Sequence, residues 1–218
     1  MIFKIMFNEV KYIVAIFVNK VIGNETVVLK KKWQKIYLKF FKKRVDFSNL
    51  EIPIGYNSKN HFGIIVAKGQ TMNEAIAAME KKIMVSLPSE DLDANIISDR
   101  ITDKDYFIMF DKNVEFYGSL RMMSANEFAE MGGRGITLLE RLLLGIYYFN
   151  ETKRYLDVDN FDHLTMCFSS RWLNGKTPSV MYCPGHRWQH SNLSHSFYPP
   201  IILLAPVPTP TERCILVL

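Results

Sequence analysis

HFGIIVAKGQTMNEAIAAMEKKI, residues 61–83, holds a strand and a helix side by side and decides how the chain is read. His61 to Ala67 is an apolar run of strand length and reads as a β-strand. Thr71 and Glu74 then carry the spacing of a capping box. In that motif the hydroxyl accepts from the Glu74 amide while the carboxylate reaches back to the Thr71 amide. Met72, Ile76, Met79 and Ile83 follow at helical spacing, so a helix is predicted from 72 to about 84.

Toward the C-terminus, Pro88 and the acidic run Glu90–Asp93 mark a loop, and Asp105 to Asp111 (DYFIMFD) reads as a second strand. Ser124 and Glu127 form another capping box, opening a short helix to Met131. Gly132-Gly133-Arg134-Gly135 stops it. Thr137 and Glu140 form a third box and lead a helix to about Phe149, with Leu139, Leu142, Leu143 and Ile146 inward. From His163 the pattern changes to strands and turns. Strands are predicted at 163–170, 178–183 and 186–191, with Asn174-Gly175 as the hairpin signal between the first two. Helices and strands are mixed without βαβ alternation. The fold class is therefore α+β. The expected sheet is mixed or antiparallel. It combines 61–67, 105–111 and a C-terminal β-meander, with two or three amphipathic helices on one face. No internal repeat is visible.

Toward the N-terminus lies a connector, 45–60, with Pro53, Gly55 and several Asn and Ser. Before it, residues 26–44 read as an amphipathic helix. Leu29, Trp33, Ile36, Tyr37, Phe40 and Phe41 recur on one stripe. The other face is basic: eight of the fifteen residues from Lys30 to Arg44 are Lys or Arg, and none is acidic. They are Lys30, Lys31, Lys32, Lys35, Lys39, Lys42, Lys43 and Arg44. The organisation expected is a basic amphipathic N-terminal segment (1–45), an α+β domain (46–196) and a Pro-rich apolar tail (197–218). The tail holds five of the nine prolines and reads neither as helix nor as strand.

Charge follows the same division. The 218 residues carry a formal +5, but residues 1–50 alone hold eleven Lys and Arg against three Asp and Glu, and the rest holds sixteen against nineteen. A basic segment on a mildly acidic body differs from a uniformly basic nucleic-acid domain. Apolar residues at 48% and charged residues at 22% exclude wholesale disorder. Three cysteines do not make a disulfide scaffold and fit a reducing, cytoplasmic setting in a prokaryote or virus. No apolar run is long enough for a membrane span. Lys4 and the apolar run 12–18 imitate a signal peptide, but Glu9 and Lys11 interrupt it and no small-residue cleavage site follows. A buried strand or helix is the preferred reading there.

Two clusters could carry chemistry. Cys183, His186 and His190 offer thiolate and imidazole at short spacing, the ligand types zinc prefers. Cys167 joins them if the hairpin turns on Asn174–Lys176, because position 167 then falls opposite 183. This zinc-binding reading, structural or hydrolytic, competes with a core cysteine and locally bonded histidines. The same cysteines with His163 or His186 and Asp162 could be imagined as a nucleophile system, but any chain with three Cys and five His offers such pairs. The remaining motifs fail. Asp157, Asp159 and Asp162 lack the glycine and glutamate of a calcium loop. Gly132–Gly135 lacks the ending of a phosphate loop, and the leucines of the following helix suit a core better than a DNA groove.

The second cluster is the basic helix. It could meet nucleic-acid phosphates with Trp33 and Tyr37 stacking on bases, or lie as a peripheral element on an anionic membrane surface. The plain alternative is a solvated lysine face on a packed helix. With no catalytic motif present, the leading expectation is a non-enzymatic interaction or regulatory module that binds an anionic partner through residues 26–44.

Overall fold

The computed structural model describes residues 25–83, 91–112, 125–156, 165–183, 201–203 and 213–214. The fold is α+β. Helix α1 spans residues 25–36 and runs into a π-helical turn, Tyr37–Phe41. Then come β1 (His61–Val66), α2 (Met72–Ile83), α3 (Leu92–Asn95), β2 (Ile96–Ser98), β3 (Tyr106–Asp111), α4 (Ala125–Glu130) and α5 (Leu138–Thr152). Five short strands follow: β4 (Thr165–Met166), β5 (Ser170–Trp172), β6 (Ser179–Cys183), β7 (Ile201–Leu203) and β8 (Arg213–Cys214).

Two of the three capping boxes formed as read, and the third begins at Ser124, outside the described residues. Glu74 N donates to Thr71 Oγ1 at 3.2 Å, and Thr71 N donates back to the Glu74 carboxylate at 3.2 Å. At α5 the Thr137–Glu140 box is complete, and Lys153 closes the helix in the left-handed conformation. Gly132, with φ +75°, ends α4 as a glycine stop should. The acidic run read as a loop instead starts α3, because the Asp91 side chain accepts from Ala94 N. The basic helix stops three residues early. Lys42 turns left-handed at φ 60°, and its N–H and that of Lys43 both close on Tyr37 O.

The strands do not form one sheet. They fall into three: β1–β3, β2–β5, and β7–β6–β4–β8. All pairs are antiparallel except β4 with β8. The tail read as neither helix nor strand supplies β7 and β8, which extend the sheet of the meander on both sides. The strand expected at 186–191 lies outside the described residues, as do residues 1–24.

The register of the meander also differs from the expected one. Met166 pairs with Ser179, and Cys167 N donates to Pro178 O at 2.9 Å. Six steps from Met166 to Trp172 are matched by only three from Ser179 back to Lys176, whose carbonyl accepts from Trp172 N. A turn at Cys167–Ser170 absorbs the surplus, closed by Ser170 N to Cys167 O at 2.8 Å. That turn frees β5 to pair with β2. Cys167 therefore faces Pro178 and not Cys183.

The core runs across the composition boundary at residue 45. Leu29, Trp33, Ile36 and Tyr37 are buried in one cluster with Ile64, Ile65, Val66, Met79, Leu142 and Ile146. Ile64, Ile65 and Val66 are each fully buried. A strand buried at consecutive positions has both faces covered, which is why its sequence shows no polar alternation. The helix comes close at Gly63. A Cβ there would lie 2.8 Å from Leu29 Cδ2 and from Tyr56 Cε2.

Candidate anion-binding face

Helix α1 is held by its aromatic stripe, and the hydrogen bonds of that stripe fix which lysines face out. Trp33 Nε1 donates to Gly63 O at 2.9 Å. Tyr37 OH donates to Ile65 O at 3.1 Å and accepts from Ala67 N at 2.8 Å. Trp33 also stacks on Tyr147 of α5, with centroids 5.5 Å apart. Both aromatics are fully buried. Base stacking on Trp33 and Tyr37, expected of a nucleic-acid site, is therefore excluded. The same burial excludes Trp33 and Phe40 as membrane-facing groups.

The eight basic residues divide into two sets. Lys30 donates to Ser48 O at 2.9 Å, Lys32 pairs with Glu151 at 2.6 Å, Lys39 donates to Asn150 Oδ1 at 2.8 Å, and Lys43 pairs with Glu74 at 2.6 Å. Glu151, by its hydrogen bond, raises the pKa of Lys32 above the usual lysine value. These four lysines bind the helix to its neighbours. Lys31, Lys35, Lys42 and Arg44 are exposed and have no side-chain partner among the described residues. Val27 and Val28, each 47% exposed, and Leu38, 50% exposed, join them on the outer side. At 100° per residue, positions 27, 28, 31, 35 and 38 fall within one arc opposite Leu29, Trp33 and Ile36. The outer face thus presents lysines interleaved with aliphatic side chains.

Helix electrostatics explains part of this pattern. Lys39, Lys42, Lys43 and Arg44 sit at the negative end of the helix dipole, where cations stabilise by about 0.3–1 kcal/mol each. Lys31 and Lys35 gain nothing of that kind. As like charges at i, i+4 they cost about 0.2–0.5 kcal/mol.

Of the four expected zinc ligands, His186 and His190 lie outside the described residues, and the register sets Cys167 away from Cys183. Cys167 is fully buried and free, and burial pushes its thiol up to about 12. A thiol so protonated is a poor nucleophile. Cys183 lies in β6, five positions out of register with Cys167. His186, His190, His163 and Asp162 lie outside the described residues. Among the described residues, no group of three His, Cys, Asp or Glu could hold a metal ion. No helix among them is long and apolar enough to cross a membrane.

One buried ion pair was not foreseen. Arg100 Nε and Nη2 each reach the fully buried Glu140 carboxylate at 2.6 Å, and Tyr106 OH donates to it at 3.1 Å. Thr137 N adds a fourth bond at 2.8 Å. Burial, and then the Glu140 charge, holds the Tyr106 hydroxyl protonated well above the usual tyrosine range. The carboxylate is saturated, so it anchors Arg100 and is not poised for acid–base work. The sequence signal was Glu140 in its capping box; nothing local announced Arg100, 40 residues away.

Comparison of the chain with family models, with curated proteins and with solved structures finds no match.

Proposed function

We propose that the protein is a non-enzymatic interaction module that engages an anionic partner through the outer face of α1, and that the partner is an anionic membrane surface. The observation that carries this reading is the mixed outer arc. Among the described residues, Lys31 and Lys35 are exposed and unpartnered in the same arc as Val27, Val28 and Leu38, and Lys42 is exposed and unpartnered just past the helix end. A bilayer interface accepts both kinds of group, phosphates the ammonium heads and acyl boundary the aliphatic ones. Cations near an anionic leaflet are worth about 1 kcal/mol each. Lys31, Lys35, Lys42 and Arg44 together supply about 3–4 kcal/mol, enough for weak, reversible and salt-sensitive attachment. A nucleic-acid partner would be left with backbone contacts alone, since the aromatics are buried.

Flotation with vesicles containing phosphatidylserine tests this. We expect binding that falls with added salt, falls further in the Lys31→Glu, Lys35→Glu, Lys42→Glu variant, and weakens without loss of salt sensitivity in Leu38→Ser. Equal binding to neutral vesicles, or a triple variant that binds like wild type, would refute it. Tighter binding to duplex DNA than to vesicles would move the partner to nucleic acid.

A further inference from the structure

Among the described residues, β3 has no strand partner on the side away from β1. Lys112 N donates to Asn60 O, while Asn60 N turns back to Asn57 O, so the register position Asn60–Lys112 is one at which peptide groups face across the β1–β3 pair. By the antiparallel alternation, Phe62–Phe110, Ile64–Ile108 and Val66–Tyr106 are the hydrogen-bonded pairs. The peptide groups of Phe107 and Met109 then point away from β1. Among the described residues, none donates to them or accepts from them.

A groove of about 400 Å³ runs along this edge. It is lined by Tyr106, Phe107, Ile108 and Met109 in unbroken succession. A cavity on one face of a strand would touch alternate residues. Contact with four in a row places it along the strand's side, where backbone is exposed. Its walls are Pro53 and Ile101, and Ile101 is 68% exposed. Among the described residues, Lys104 and Arg134 line it as exposed cations without a partner, against one carboxylate, Asp103. The Arg100 charge is already matched by Glu140.

We infer that this groove takes an extended acidic peptide segment of a partner protein, added as a strand to β3. Strand addition supplies main-chain bonds to the Phe107 and Met109 peptide groups. Alternate apolar side chains would lie against Pro53 and Ile101, and carboxylates between them would face Lys104 and Arg134. The surplus of cations on the walls selects acidic over basic peptides.

The test uses the full chain and a fluorescent peptide of alternating Glu and Val, seven residues long. Its controls are the same peptide N-methylated at alternate amides and the Lys/Val analogue. Binding is read by anisotropy, and its place by amide protection. We expect the acidic peptide to bind, the N-methylated and basic peptides to bind at least about tenfold more weakly, and Phe107 and Met109 to become protected. Lys104→Glu with Arg134→Glu should weaken the acidic peptide about tenfold, with the thermal midpoint unchanged as proof of folding. No binding up to about 1 mM would overturn the inference, as would equal binding of the N-methylated peptide or protection elsewhere. A self-association that protects Phe107 and Met109 in the peptide-free protein would replace the acidic partner by a second copy.

Discussion

The two edges of the β1–β3 sheet are treated oppositely. On the β1 side, three of the peptide atoms that point out of the pair meet side chains of α1: Trp33 bonds Gly63 O, and Tyr37 bonds both Ile65 O and Ala67 N. On the β3 side, the groove leaves Phe107 and Met109 without such partners among the described residues. A helix has replaced a third strand at one edge, using an indole and a phenol as hydrogen-bonding surrogates. An uncovered edge invites pairing with another chain. Covering one, and leaving the other open among the described residues, directs pairing with this sheet to β3. The comparison also gives α1 two unlike faces. The inner one closes an edge and belongs to the fold, and the outer one carries cations the fold does not use.

The strongest way to break the comparison is to empty the closed edge. Trp33→Ala removes a fully buried indole, its stacking on Tyr147 and its bond to Gly63 O. We expect a loss of about 3–5 kcal/mol in chemical denaturation. A loss below about 1 kcal/mol would mean the helix merely rests on the sheet. Deleting residues 1–45 should abolish cooperative unfolding altogether, so truncation cannot serve as a binding control.

Tyr37→Phe keeps the ring and removes only the hydroxyl. Ile65 O and Ala67 N are then left unpaired in the interior, and about 2–3 kcal/mol should be lost. A neutral result would contradict the surrogate role.

Alkaline pH sharpens the point further. Burial raises the Tyr37 and Tyr106 pKa values above the ordinary 10.0. The unfolded chain releases these protons first. Their contribution is therefore complete below about pH 10 and is lost as pH rises past it. Thermal midpoints should be flat on the neutral side and fall above about pH 10, less steeply in Tyr37→Phe. A fall of the same steepness in both proteins would remove Tyr37 from the account.

Much of this architecture was legible where the physics is local. The capping boxes at Thr71 and Thr137, the stripes of α2 and α5, and the inward face of α1 all rest on bonds or contacts within a few residues. Other features depended on distant chain. The register of the meander turned on the loop Cys167–Ser170, which exists because β5 pairs with β2 some 70 residues earlier. No hairpin rule applied to residues 163–183 alone could supply that. The lysines of α1 read alike in sequence, yet Lys32 meets Glu151 across 119 positions while Lys31 beside it has no partner among the described residues. Which cations are spent on the fold is a tertiary fact. The groove was invisible for the same reason: Arg134 read as part of a helix stop, and no local signal singled out Lys104.

Amide hydrogen exchange in the peptide-free protein tests the asymmetry most directly. The Ala67 amide is buried and bonded to Tyr37, and Ile64 and Ile108 are bonded within the pair. We expect all three to exchange only through global opening, and Phe107 and Met109 to exchange orders of magnitude faster. Protection of Phe107 and Met109 equal to that of Ala67 would show both edges closed, and would contradict the account.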